Sequence, residues 1–149
     1  MKRLIYTSLI VIILDRITKL LAKSLIKDIV IIKNFFNIAF NINPGAAWSI
    51  LYGHRWLLIL ASFAALGLIY FVYRNERITR RRGIVLGLLV GGIIGNLWDR
   101  ISYGYVIDFL DFIIFRRHFP TFNLADSAIV ISVIILIIIE FKGGKHVRG

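Results

Sequence analysis

Cysteine is absent from the 149-residue chain, which excludes disulfides, thiolate nucleophiles and cysteine metal sites. Histidine is scarce: His54, His118 and His146 lie far apart and form no His-Glu-x-x-His pattern, so a zinc protease has no ligand set to use. No Ser–His pair sits within an apolar stretch, which removes the nucleophile and base of an intramembrane serine protease. Acids number eight, against nineteen Lys and Arg. No internal repeat or low-complexity segment is evident.

What is abundant is apolar. The hydrophobic fraction is 58% and the mean hydropathy +0.80, above the roughly 45–50% apolar content of soluble domains. The length is that of one domain, and the composition suits lipid as solvent. The net charge of +11 raises nucleic acid as a partner, but its distribution argues against one. Arg74, Arg77, Arg80, Arg81 and Arg82 crowd one short loop between two apolar stretches, the mark of a cytoplasmic loop under the positive-inside rule.

Residues 4–14 form an unbroken apolar run behind Lys2 and Arg3. This resembles the start of a signal peptide, but no small-residue cleavage site follows. Asp15, Arg16 and Lys19 come next and then Leu20, Leu21 and Ala22, so one helix over 4–22 is expected to continue with a wet face. Asp15 and Lys19 stand at ion-pair spacing. About 16 Å of helix rise separates Leu4 from Asp15, which puts Asp15 in the outer half of the bilayer if the N-terminus is inside.

Residues 24–55 carry too many charges and Asn to cross a membrane. Ile32, Phe36, Ile38, Phe40 and Ile42 alternate with Lys33, Asn37, Ala39, Asn41 and Asn43, a period of two that predicts a strand, broken by the turn Asn43-Pro44-Gly45. Further spans are expected over 56–73, 83–100 and 122–141. Gly87, Gly91 and Gly95 mark a close-packing face on the third, and Lys142, Lys145 and Arg148 put the tail inside. The expected fold is a mainly α membrane protein: four transmembrane helices, a small extracytoplasmic β element between helices 1 and 2 (residues 24–55), and one domain over 1–149. Asp15, Asp99, Asp108, Asp111 and Asp126 then fall toward the outer face, five of the eight acids.

Asp108 lies just beyond the third span and Asp126 opens the fourth. Two carboxylates a few Å apart do not both ionise easily, so one keeps a proton. The ionised member can activate water while the protonated one polarises a scissile carbonyl. The alternative is that each acid caps a helix or pairs with Arg100, Arg116 or Arg117. Asn123 and Asp126 are spaced as N-cap and N3, which favours Asp126 as the ionised partner and Asp108 as the protonated one. Asp111, three residues on, is the rival to Asp108 but is read as a loop-surface residue. Asp99 and Arg100 are read as an ion pair or loop anchor, and Asn43 and Asn96 as amides that hold either a substrate backbone or a turn. A proton-coupled transporter and a non-enzymatic scaffold remain the rival readings of such acids.

Asp15-Arg16-Ile17-Thr18-Lys19, Asn43 through Ser49, Gly91 through Arg100, Gly104 through Phe109, and Phe119 through Asp126 occur in this order. Together they resemble the motif set of the lipoprotein signal peptidases (signal peptidase II), with Trp48 and Trp98 where Phe or Tyr is common. The resemblance implies an aspartic endopeptidase of the bacterial cytoplasmic membrane. It would be multi-pass, with both termini cytoplasmic and the active site at the extracytoplasmic face. It implies substrates that are diacylglyceryl-modified prolipoproteins cut just before the lipidated cysteine, contact with membrane lipids, and inhibition by globomycin-type compounds. It also implies a catalytic pair at Asp108 and Asp126, with support from Asp15, Asn43, Gly92, Asn96, Asp99, Arg100, Asn123 and Ala125. No metal or organic cofactor is implied.

Overall fold

The computed structural model describes residues 1–25, 27–46 and 50–143, the last two by backbone alone. Ala47, Trp48 and Ser49 of the second motif, and Lys145 and Arg148 of the basic tail, lie outside the described residues. The elements run α1 (Lys2–Lys23), β1 (Ile29–Ile32), β2 (Phe36–Asn43), α2 (Arg55–Tyr73), α3 (Arg80–Tyr103), β3 (Val106–Ile114), β4 (Arg117–His118) and α4 (Leu124–Gly143).

Helix α3 is the axis of the bundle, packed by α1 and α4 and more lightly by α2. Its glycines make this possible. A methyl group on Gly87 would meet Thr7 Cβ at 2.6 Å, and one on Gly91 would meet Val11 Cβ at 2.8 Å, so this face admits α1 only because it is bare. Ser8 Oγ uses the closeness to donate to the Gly87 carbonyl at 3.1 Å. Gly92 does the same for α4: a methyl there would sit 2.5 Å from the Ala125 carbonyl oxygen.

Burial is inverted relative to a soluble bundle. In α1 the buried residues are Ser8, Val11, Asp15, Lys19 and Ala22, whereas Ile10, Ile13, Leu14, Ile17 and Leu21 are exposed. An apolar exterior around a polar interior is stable only where the surroundings are themselves apolar. Helices α2, α3 and α4 are each long and apolar enough to cross a membrane. On the wet face expected on α1, Asp15 and Lys19 are instead enclosed, at 2% and 0% exposure, and Arg16 stays part-exposed. Lys19 Nζ can be buried because Asp15 at 2.8 Å and Asp99 at 3.0 Å neutralise it.

The β element is larger than the sequence suggests. It is a four-stranded antiparallel sheet in the order β1-β2-β3-β4, and half of it comes from between α3 and α4. The segment expected as one strand is a hairpin, turned at Asn34 in the left-handed region (φ 61°). Strand β3 carries no period-two signal because Val106, Ile107, Asp108 and Phe109 are all buried; a strand covered on both faces lacks alternation. A bulge between Ile38 and Asn41 shifts the β2–β3 register.

Two features tie the sheet to the helices. Gly104 ends α3 in the left-handed conformation (φ 86°) and turns the chain into β3. Beyond β4 the chain returns along β3: Phe122 O accepts from Phe109 N at 3.0 Å and Leu110 N at 2.8 Å, and Phe122 N donates to Leu110 O at 3.2 Å. Phe36, Phe112 and Phe122 stack across this join, with ring centroids 4.6 and 5.7 Å apart. The start of α4 is thereby fixed beside Asp108.

Candidate active site

Asp108 is buried on β3, opposite Asn41 in the β2 register. Its Oδ1 accepts from Asn123 Nδ2 at 2.7 Å and its Oδ2 from Asn43 Nδ2 at 2.9 Å. Asp126 opens α4, where Asn123 is the N-cap. Asp126 N donates to Asn123 Oδ1 at 2.9 Å, and Asp126 Oδ2 accepts from Asn123 N at 3.2 Å, a reciprocal cap. The cap fixes the orientation of the Asn123 amide: its oxygen is committed to the helix, so its nitrogen must face Asp108. One side chain therefore positions both acids.

Asn96 on α3 completes the ring. Its Nδ2 donates to Asp126 Oδ1 at 2.7 Å, and its Oδ1 accepts from Lys19 Nζ at 3.0 Å and from Asn123 Nδ2 at 3.2 Å. Asp15 Oδ1 accepts from Ala125 N at 3.0 Å, and a methyl group on Gly95 would run into the Asp15 carboxylate. Asp99 pairs with Arg16 at 2.7 Å and with Lys19, and its Oδ2 accepts from Ile107 N at 3.2 Å. Asp99 is thus paired with α1, not with Arg100. Arg100 reaches the turn after β2, donating to the Gly45 carbonyl at 3.1 Å. Asn43 shapes that turn, its Oδ1 accepting from Gly45 N at 3.0 Å.

Among the described residues neither Asp108 nor Asp126 has an ion-pair partner within 4.0 Å. Arg116 and Arg117 are exposed, and Arg100, which shares a cavity with both acids and attracts them, bonds the Gly45 carbonyl without coming within ion-pair distance of either. Both line a cavity of about 770 Å³ between α2, α3 and α4, otherwise walled by groups such as Leu58, Ala65, Ile93 and Ile129. Burial pushes the Asp108 carboxyl up to about 7, and the charge of Asp126 adds to this; hydrogen bonds from Asn43 and Asn123 oppose it.

The family model described as Signal peptidase (SPase) II matches residues 7–142. The chain belongs to the signal peptidase II family. It is therefore a peptidase of the aspartic type. Relatives named lipoprotein signal peptidase include those of Halothermothrix orenii (42% identical, covering 92% of this chain and 94% of that one) and Clostridium novyi (41%, covering 90% and 94%). That of Bacillus subtilis is 38% identical over 88% of each chain. Two solved structures of a bacterial membrane enzyme, obtained by the in meso method, superpose with TM-scores of 0.87 and 0.83. The first is 32% identical, covering 98% of this chain and 92% of that one; the second is 34% identical, covering 95% and 94%.

In this signal peptidase II site two groups go beyond the sequence reading. Lys19 is more than a partner for Asp15, since it also bonds Asp99 and Asn96. Asp111 is not on a loop surface. It is 4% exposed on β3 and accepts from Asn37 Nδ2 at 2.9 Å, and its Oδ1 lies 2.8 Å from His118 Nδ1. It is buried because β2 pairs Asn37 directly opposite it. The spacing of Asp108 and Asp111 signals two buried acids only once residues 106–114 are known to be a strand.

Proposed function

We propose that this membrane peptidase removes the signal peptide from diacylglyceryl-modified bacterial prolipoproteins, cutting just before the lipidated cysteine, with Asp108 and Asp126 as the catalytic pair. The observation that carries this reading is that two carboxylates without ion-pair partners open on one cavity and share one positioning residue, Asn123. Asp126, at a helix N-terminus where a backbone N–H meets one of its oxygens, is the ionised member and takes a proton from water. The resulting hydroxide adds to the scissile carbonyl carbon, and protonated Asp108 gives its proton to the carbonyl oxygen. Collapse of the gem-diol returns a hydroxyl proton to Asp108, while Asp126 delivers its proton to the departing amine. Asp15, Asn43, Gly92, Asn96, Asp99, Arg100 and Ala125 hold this arrangement.

The chain is read as one domain over 1–149 with four spans, both termini cytoplasmic, in the bacterial cytoplasmic membrane. The arginine-rich loop between α2 and α3 supports that orientation, which puts the acids at the extracytoplasmic face. A diacylglyceryl anchor, held in the membrane by about 0.8 kcal/mol per buried methylene, presents the scissile bond at a fixed depth, and the apolar cavity is suited to receive it. Globomycin-type inhibitors are expected to compete there. The test is cleavage of a diacylated precursor beside its unlipidated twin by the purified enzyme in bilayers. The lipidated form is expected to turn over at least tenfold faster; equal turnover of both would reject the role of the lipid.

A further inference from the structure

Asp108 faces two cavities. Besides the apolar one, a cavity of about 480 Å³ opens on the sheet side, bounded by Asp28, Asn41, Asp111 and His118, and it shares Asn43, Asp108 and Phe119 through Thr121 with the first. The two differ in chemistry. Mostly aliphatic side chains of α2, α3 and α4 line the first, with Asn96 and Arg100 near the acids, whereas the second is walled by carboxylates, amides and an imidazole beside Ala39 and Ile42. In a chain with nineteen Lys and Arg against eight Asp and Glu, no Lys or Arg is among the described residues lining the second. Asp111 is held by Asn37 and His118. Asp28 is exposed and has no ion pair among the described residues.

A polypeptide cut at Asp108 must continue away from it in both directions. One direction is apolar, matching a signal segment and acyl chains; the other is polar. We infer that the sheet-side cavity is the subsite for the residues that follow the lipidated cysteine, and that it selects against acidic side chains there. This rests on the prolipoprotein reading above. A cationic side chain in the cavity meets Asp28 and Asp111 as opposite charges; an acidic one meets them as like charges. Near a wet surface such a contrast amounts to about two- to fivefold in rate, and it fades in high salt.

The experiment uses three diacylated precursors that differ only in the two residues after the cysteine: both Lys, both Asp, or both Gln. Each kcat/KM is divided by that of the Gln precursor with the same enzyme, so any general loss of activity cancels. The wild type is expected to favour Lys over Asp by about two- to fivefold at low salt, and Asp28→Lys to invert that order. A wild-type ratio near one, or a preference that Asp28→Lys leaves unmoved, would overturn the subsite. If the wild type cleaves the Gln precursor normally, that failure concerns the subsite alone. If it cleaves none of the three, the prolipoprotein reading falls and the subsite with it.

Discussion

The two acids of the site arrive on different kinds of backbone, and the difference supports the roles proposed for them. Asp126 sits in the first turn of a helix, where a backbone N–H and the Asn96 amide meet its oxygens. Asp108 sits on a buried strand, where only side-chain amides reach it. Helix termini stabilise negative charge by about 0.3–2 kcal/mol, depending on their surroundings. Strand interiors offer no such field, so the desolvation of Asp108 is opposed only by side-chain amides and more distant charge. In the proposed mechanism this asymmetry of backbone becomes the asymmetry of protonation that a two-carboxylate peptidase needs.

The hardest way to break this comparison is to remove either acid. Asp108→Asn and Asp126→Asn are each expected to lower kcat on a lipidated precursor by about 10³-fold or more. Their effects on stability should differ. The folded-state pKa of Asp108 is raised from 3.8 to about 7, so the wild type loses stability as pH climbs between those values and stays low above them. Asp108→Asn carries no such penalty and should be more thermostable than wild type at pH 8, by up to about 4 kcal/mol. That advantage should fade toward pH 4, as read by thermal unfolding in detergent.

Next in size is Lys19→Met. It leaves Asp15 and Asp99 buried without their shared cation, for an expected loss of about 3–5 kcal/mol of stability. Asn123→Ala removes the link between the two acids and the cap of α4; a net loss of about 1.4–2.8 kcal/mol of transition-state stabilisation corresponds to a fall in kcat of about 10- to 100-fold. Asn43→Ala is the mildest and sharpens the comparison most. Asn43 Nδ2 touches Asp108 and not Asp126. Its hydrogen bond lowers the pKa of Asp108, so its loss should move the alkaline limb of the pH–rate profile to higher pH, with activity down about tenfold.

The sequence made the helical frame and the main members of the site legible because each left a local mark. Gly87, Gly91 and Gly95 recur at one helical face, and Asn123 with Asp126 has cap spacing. Asp108 and Asp126 are acids at the ends of apolar runs, where an unneeded charge is costly. What stayed hidden depends on pairing over long separations. Strand β3 shows no alternation because both its faces are covered. Asp111 could not be told from a surface acid until Asn37, 74 residues away, came opposite it. Lys19 reads as a solvated charge until Asp99, far along the chain, closes over it.

The pH dependence of kcat/KM on a diacylated precursor tests the central claim most directly, since it follows the proton assigned to Asp108. A fall in rate as pH rises through about 7 is predicted, with the midpoint displaced upward in Asn43→Ala. A rate that stays flat across that range, or rises through it, would contradict a protonated Asp108 in the reacting enzyme.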